Sequence, residues 1–264
     1  MVYIAKPQGN RRMPQTSRAP VTAALLVIGD EILSGRTKDK NIGYIAEYLT
    51  GIGIDLREVR VVPDVAEEIV GAIDALRAKH DYLFTTGGIG PTHDDITADC
   101  VAQALGVGIS QDERAVAMLR ERFPNPADLN ESRLRMARIP HGATLIDNPI
   151  SRAPGFMVGN VITMAGVPSI MQAMLDDVAP KLRTGTKMLS VSVDTGGLPE
   201  GAYGGALGDV QKAHPETMIG SYPNFDGQRF RNQIVVRARQ EEPLGAAVRA
   251  VEAMLASLHA EKNA

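Results

Sequence analysis

Residues 85–99 read TTGGIGPTHDDITAD, with three glycines, a proline, a histidine and three aspartates between an apolar run and a helical pattern. Glycines in such a turn permit positive φ and let bare backbone N–H groups converge on an anion, while the following helix adds the positive end of its dipole. Adjacent carboxylates repel that anion unless a cation lies between them. The stretch therefore predicts a phosphorylated small-molecule ligand and a divalent metal ion (Mg²⁺, Mn²⁺ or Co²⁺) shared between phosphate oxygens and aspartate. The same residues also suit a tight turn with an aspartate as helix cap, and side chains of adjacent residues in a turn rarely point the same way.

Outward from this loop, strand and helix signals alternate. VTAALLVIG (21–29) is a continuous apolar run, as expected of a strand covered on both faces. NIGYIAEYLTGIG (41–53) places Ile42, Ile45, Ala46 and Leu49 on one helical face and stops at Gly51 or Gly53. IDLREVRVV (54–62) reads as a strand, AEEIVGAIDALRAKH (66–80) as a helix and DYLFTT (81–86) as a short buried strand. TADCVAQALG (97–106) is a helix with Thr97 as its N-cap and Gly106 as its stop. DERAVAMLRERF (112–123) and NESRLRMARI (130–139) read as two helices around the breaker PNPADL, ATLIDN (143–148) and NVITMAG (160–166) as strands, and SIMQAMLDDVAPKL (169–182) as a helix with a kink at Pro180. This order predicts an α/β fold, a mostly parallel sheet between two helix layers. A composition change at RTGTK (183–187) separates a main domain over 20–184 from a β-α-β-β-α annex over 186–262, read as a small C-terminal α+β domain.

Ligands of open α/β sheets bind beyond the carboxyl ends of the strands, and acids gather at those ends here. The first strand is followed by Asp30 and Glu31, the second by Asp64, the third by Asp94 and Asp95. Each alone suits a cap or a solvated charge. Together they nominate Asp30, Asp94 and Asp95 as metal ligands, with Asp64, Asp95 and Glu31 as catalytic acids. Gly87, Gly88 and Gly90 would hold phosphate. His93 has no identified partner and stays outside the catalytic set; no two of the five histidines have metal-ligand spacing on one helix, so a histidine–zinc site is not expected.

The composition agrees with a globular chain. Net charge is −3 over 264 residues and 44% are hydrophobic, so no excess positive field argues for nucleic acid or an anionic membrane. No apolar run approaches the roughly 20 residues of a membrane helix. One cysteine, Cys100, excludes an intrachain disulfide and a cysteine-rich zinc site. These features point to a reducing cytoplasm. Residues 1–19 are basic, contain proline and lack a signal-peptide core, so a disordered tail is expected there.

GDEILSGRTKDKN, VVPD, TTGGIGPTHDDIT, NPISRAPGF and AGVP occur in the order of the molybdopterin-binding (MoCF biosynthesis) domain, and the chain resembles its CinA-like (competence/damage-inducible protein A) branch over about residues 20–183. The resemblance implies a three-layer α/β/α fold and a homo-oligomer, dimer or trimer. It also implies divalent-metal-dependent hydrolysis of ADP-ribose to AMP and ribose 5-phosphate. The alternatives are molybdopterin binding with adenylyl transfer in molybdenum cofactor biosynthesis, and a non-catalytic ligand-binding module. By position the family's functional acids fall on Asp64 and Asp95; Thr92, Ser151, Arg152 and Gly155 are further candidates for phosphate contact, the Ser151 hydroxyl and Arg152 guanidinium as donors or else as surface variation. Ser151 and Arg152 stand where Gly-Thr is usual, and Ala165 replaces a usual proline. The annex, with GSYP at 220–223, resembles the small module that follows this domain in CinA-like proteins. The resemblance does not extend to their nicotinamide-nucleotide amidase domain, so deamidation is not expected.

Overall fold

A computed structural model of the chain describes residues 19–225 and 227–262; the tail expected over 1–19 lies, but for Ala19, outside them. The unbroken apolar run becomes β1 (Val21–Ile28), whose Ala24, Leu26 and Ile28 enter one core and whose Ala23, Leu25 and Val27 enter another. Polar alternation is absent because both faces are covered. Leu25 and Leu26 are fully buried, so truncating either to alanine costs about 2–5 kcal/mol.

A single turn, α1 (Asp30–Leu33), leads to α2 (Asn41–Ile52), which ends at Gly53 in the left-handed conformation with φ 86°. Then come β2 (Ile54–Val62), α3 (Ala66–Lys79), β3 (Tyr82–Thr86) and α4 (Thr97–Leu105), the last again stopped by a left-handed glycine, Gly106. The remainder of the main unit is β4 (Ile109–Gln111), α5 (Glu113–Arg122), α6 (Glu131–Arg135), β5 (Arg138–Pro140), β6 (Thr144–Ile146), β7 (Gly155–Val158), β8 (Val161–Met164) and α7 (Pro168–Val178). Six strands form one sheet in the order β2-β1-β3-β8-β7-β6. The first four run parallel, and only β7 runs against its neighbours. Helices α3 and α4 cover one face; α2 and α7 cover the other. This is the three-layer α/β/α fold.

The helix expected over 130–139 stops at Arg135. Residues 138–140 instead pair antiparallel with β4, and Ile139 is buried in the core. Pro140 disfavours helix at the residue before it, and the core takes Ile139 as a strand residue. The helix containing Pro180 is not kinked but ends at Val178, followed by a 3₁₀ turn over Ala179–Lys181.

The annex contains β9 (Leu189–Asp194), α8 (Glu200–Ala213), β10 (Met218–Tyr222), β11 (Gln233–Ala238) and α9 (Glu241–Lys262). Its antiparallel sheet, β10-β11-β9, buries Ile234 and Val236 against Tyr203, Leu207, Val251 and Leu255 of the two helices. It joins the main unit at the start of β2. Gly185 N donates to Gly53 O at 3.0 Å, and the Arg239 guanidinium bridges Thr186 O and the Asp55 carboxylate. β2 is nine residues long, so its far end lies roughly 30 Å from this junction. Among the described residues no helix is long and apolar enough to cross a membrane.

Candidate functional site

The loops after β1, β2, β3 and β8 meet at the carboxyl end of the parallel strands around an open cleft of about 570 Å³. Asp64 and Asp95 both line it, as do Glu31, Asp94, Ser151 and the glycines Gly87, Gly88 and Gly90. Residues 120 positions apart thus line one cleft.

Backbone hydrogen bonds at the strand tips hold this arrangement. Gly29 N donates to Val62 O at 3.2 Å, and Asp30 N donates to Asp64 Oδ2 at 3.0 Å. The Asp64 carboxyl is pushed above the ordinary aspartate value, first by burial and then by the charges of Asp30, Glu31 and Asp94; the Asp30 N–H opposes the shift. Asp30 itself is exposed and serves the site through its backbone rather than by lining the cleft.

The glycine loop is fixed by its neighbours. Gly87 N donates to Met164 O at 3.2 Å, Thr97 N to Gly88 O at 3.0 Å and Thr97 Oγ1 to Gly87 O at 2.9 Å. Thr97 is therefore the first residue of α4, after an Ile96 cap position, and its hydroxyl reaches back to the loop instead of capping the helix. Among the described residues the N–H groups of Gly88, Ile89 and Gly90 have no acceptor. They are the amides available to an anion.

Two nominated residues bind each other. Asp95 Oδ2 accepts from Thr92 N at 2.8 Å and from Thr92 Oγ1 at 2.6 Å. Thr92, expected to hold phosphate, here shapes the loop, and Asp95 keeps only Oδ1 for other partners. Ser151 lies on the cleft wall, its Oγ accepting from Asn148 Nδ2 at 2.5 Å. Arg152 does not line the cleft: in a left-handed conformation with φ 60°, its guanidinium pairs with Asp147 and Glu121. Gly155 is a packing residue. A Cβ there would lie 2.5 Å from Thr163 O. His93 is solvent-exposed, 3.9 Å from Asp94.

Among the described residues no group of three or more His, Cys, Asp or Glu side chains is arranged to hold a metal ion. An all-protein cage for Asp30, Asp94 and Asp95 is thus not built. Mg²⁺ commonly takes one or two carboxylates and fills its shell with water and phosphate oxygens. Of the nominated ligands, Asp94 and Asp95 line the cleft and Asp30 does not, so at most these two carboxylates face a common space.

Sequence reasoning missed Asn41, Gly166 and Arg135. Asn41 Nδ2 donates to Gly166 O at 2.8 Å, and a Cβ on Gly166 would lie 3.3 Å from Gly87 Cα, so this pair holds the loop after β8 against the glycine turn. Arg135 lies behind the turn. Its signal was hidden by reading 130–139 as one surface helix.

A three-layer α/β/α sheet whose strand ends present a glycine loop and converging acids defines the class of fold. The chain belongs to the probable molybdopterin-binding domain family, whose pattern matches residues 24–184; residues 187–263 match the middle domain of FAD synthase. It is 35% identical to a protein of Pyrobaculum calidifontis over 211 residues, covering 76% of this chain and 80% of that one. A probable FAD synthase of Caenorhabditis briggsae is 27% identical over 272 residues, 94% of this chain but 52% of the relative. The crystal structure of the protein CinA from Thermoplasma acidophilum, described as of unknown function, superposes with a TM-score of 0.57 at 37% identity, covering 61% of this chain and 96% of that one.

Proposed function

We propose that the cleft binds a nucleotide or pterin through its phosphate and hydrolyses a phosphoanhydride bond, with ADP-ribose, giving AMP and ribose 5-phosphate, as the leading substrate. The observation that carries this reading is the meeting of Asp64, Glu31, Asp94 and Asp95 with three free loop amides around one cleft. The amides of Gly88, Ile89 and Gly90 seat a phosphate, and Ser151 lines the same cleft. Asp94 and the free oxygen of Asp95 are the groups that would hold a divalent ion, which would polarise a phosphoryl oxygen and offset charge on the leaving phosphate. Asp64, whose burial favours its neutral form, accepts a proton from attacking water more readily than an exposed aspartate, provided the water lies within hydrogen-bond reach. Glu31 orients that water.

Purified protein incubated with ADP-ribose or FAD and Mg²⁺, Mn²⁺ or Co²⁺ should release AMP. Asp64→Asn should reduce the rate by at least about 100-fold, as loss of a general base does. ADP-ribose and FAD left intact under every ion would refute the hydrolase reading. The family assignment of residues 24–184 favours a second reading, molybdopterin binding with adenylyl transfer. An adenylylated pterin formed from molybdopterin and Mg-ATP would select it. Retention of AMP without turnover of either substrate would select a binding module.

A further inference from the structure

Among the described residues the main cleft is lined by Glu31, Asp64, Asp94 and Asp95 and by no lysine or arginine. Amides and one shared cation are a weak counterweight to four carboxylates and an incoming phosphate. The missing positive charge lies behind the glycine loop, in a narrow cavity that shares Gly88, Ile89, Gly90 and Asp95 with the cleft and is walled by Arg135 and Arg138. Its free space is about 10 Å³, room for one oxygen atom.

The two arginines differ. Arg138 Nη2 is paired with the Asp99 carboxylate. The Nε atoms of Arg135, Arg138 and Arg152 are all buried without a partner, but Arg138 and Arg152 have carboxylates on their Nη atoms, whereas among the described residues Arg135 has no carboxylate within 4.0 Å and no hydrogen-bond acceptor at all. A guanidinium with a buried donor and no partner at any of its nitrogens is rarer than one with a single idle Nε, and it calls for an occupant.

We propose that Arg135 is the cationic element of the ligand site, its guanidinium receiving a non-bridging oxygen of the phosphate seated on the Gly88, Ile89 and Gly90 amides. This rests on the phosphate reading above and assigns that reading a residue. The planar fork of an arginine can aim two N–H groups at that one oxygen, where a lysine offers a point charge. One phosphoryl oxygen fills the cavity, and the phosphorus stays in the open cleft.

Isothermal titration of wild type, Arg135→Gln and Arg135→Lys with AMP and with inorganic pyrophosphate, at fixed Mg²⁺, tests this, with thermal melting as the folding control. Arg135→Gln is expected to melt as wild type does and to bind both probes about tenfold or more weakly, the scale of a charge-assisted hydrogen bond. Arg135→Lys should fall between the two. Wild-type affinity in a folded Arg135→Gln overturns the assignment and leaves the phosphate reading standing. Failure of the wild type to bind either probe removes both together. If Arg135→Gln does not fold, Arg135→Lys decides: several-fold weaker binding supports the assignment and unchanged affinity overturns it.

Discussion

Replacing Gly87 by alanine tests how the glycine loop is built. Gly87 has φ +101°, and a Cβ there would lie 2.2 Å from the carbonyl oxygen of Ile28, where ordinary contact begins at 3.4 Å. The left-handed backbone costs about 1–2 kcal/mol for a non-glycine residue. The overlap is with backbone, not with a side chain that can turn away. The end of β1 must therefore move against two packed cores, which adds about 1–3 kcal/mol by analogy with overpacking. At about 2–4 °C per kcal/mol for a chain of this size, melting should fall by roughly 5–15 °C. Gly90→Ala is the control. Its Cβ meets only the Asp95 carboxylate, Oδ2 at 2.7 Å and Oδ1 at 3.0 Å, so that side chain swings aside at the cost of its hydrogen bonds to Thr92 in an exposed loop, stability changes by about 1 kcal/mol, less than for Gly87→Ala, and phosphate binding suffers. Thermal melts by circular dichroism, with urea midpoints at unchanged m-value, read both effects. A Gly87→Ala protein melting within about 2 °C of wild type, or a Gly90→Ala protein destabilised as much as Gly87→Ala, would refute this reasoning.

Asp64→Asn keeps an acceptor for the Asp30 N–H and removes a carboxylate from burial among like charges. Because the folded carboxyl titrates above the ordinary value of 3.8, wild-type stability declines as pH rises through the folded value. The variant should therefore be more stable than wild type at neutral pH, with the difference vanishing below the ordinary value, measured by urea denaturation at each pH. Cys100 is buried and its thiol is pushed up to about 11, chiefly by that burial, so Ellman's reagent should leave the native protein unlabelled and react fully in denaturant. Arg239→Ala breaks the bridge between Thr186 and Asp55, and tryptic cleavage at Arg183 or Lys187 should accelerate several-fold; an unchanged digestion pattern would show that the bridge does not secure the junction.

The architecture was legible where physics acts locally. The run at 21–29 could be read as a strand covered on both faces because it lacked alternation, and Gly106 announced a helix end by its permitted φ. Of Gly51 and Gly53, only the tertiary chain path selected Gly53. β7 was invisible for a different reason: four residues beginning with Gly155 carry no period, and what makes them a strand is pairing with β6 and β8. The short strand around Ile139 was hidden because its pattern fits a helix until the core claims it. At the site, residue types pointed to loops that the fold brings around one cleft, but not to the contacts each residue makes there. Thr92 and Asp95 look like independent ligand contacts in sequence, and three residues apart they satisfy each other. Arg152 sits in a family motif, yet the nearer carboxylates of Asp147 and Glu121 take its guanidinium. Arg135 carries no motif and reaches the glycine loop only through the turn after α6.

The most direct measurement is a crystal structure after soaking with ADP-ribose and Mn²⁺, using the anomalous signal of the metal. The account predicts a manganese peak in the cleft between phosphate oxygens and Asp94, Asp95 or both, with a phosphate on the Gly88–Gly90 amides and Asp64 outside the metal's shell. Phosphate and metal bound on another face of the molecule, or phosphate in the cleft with Asp94 and Asp95 turned away from any cation, would contradict it.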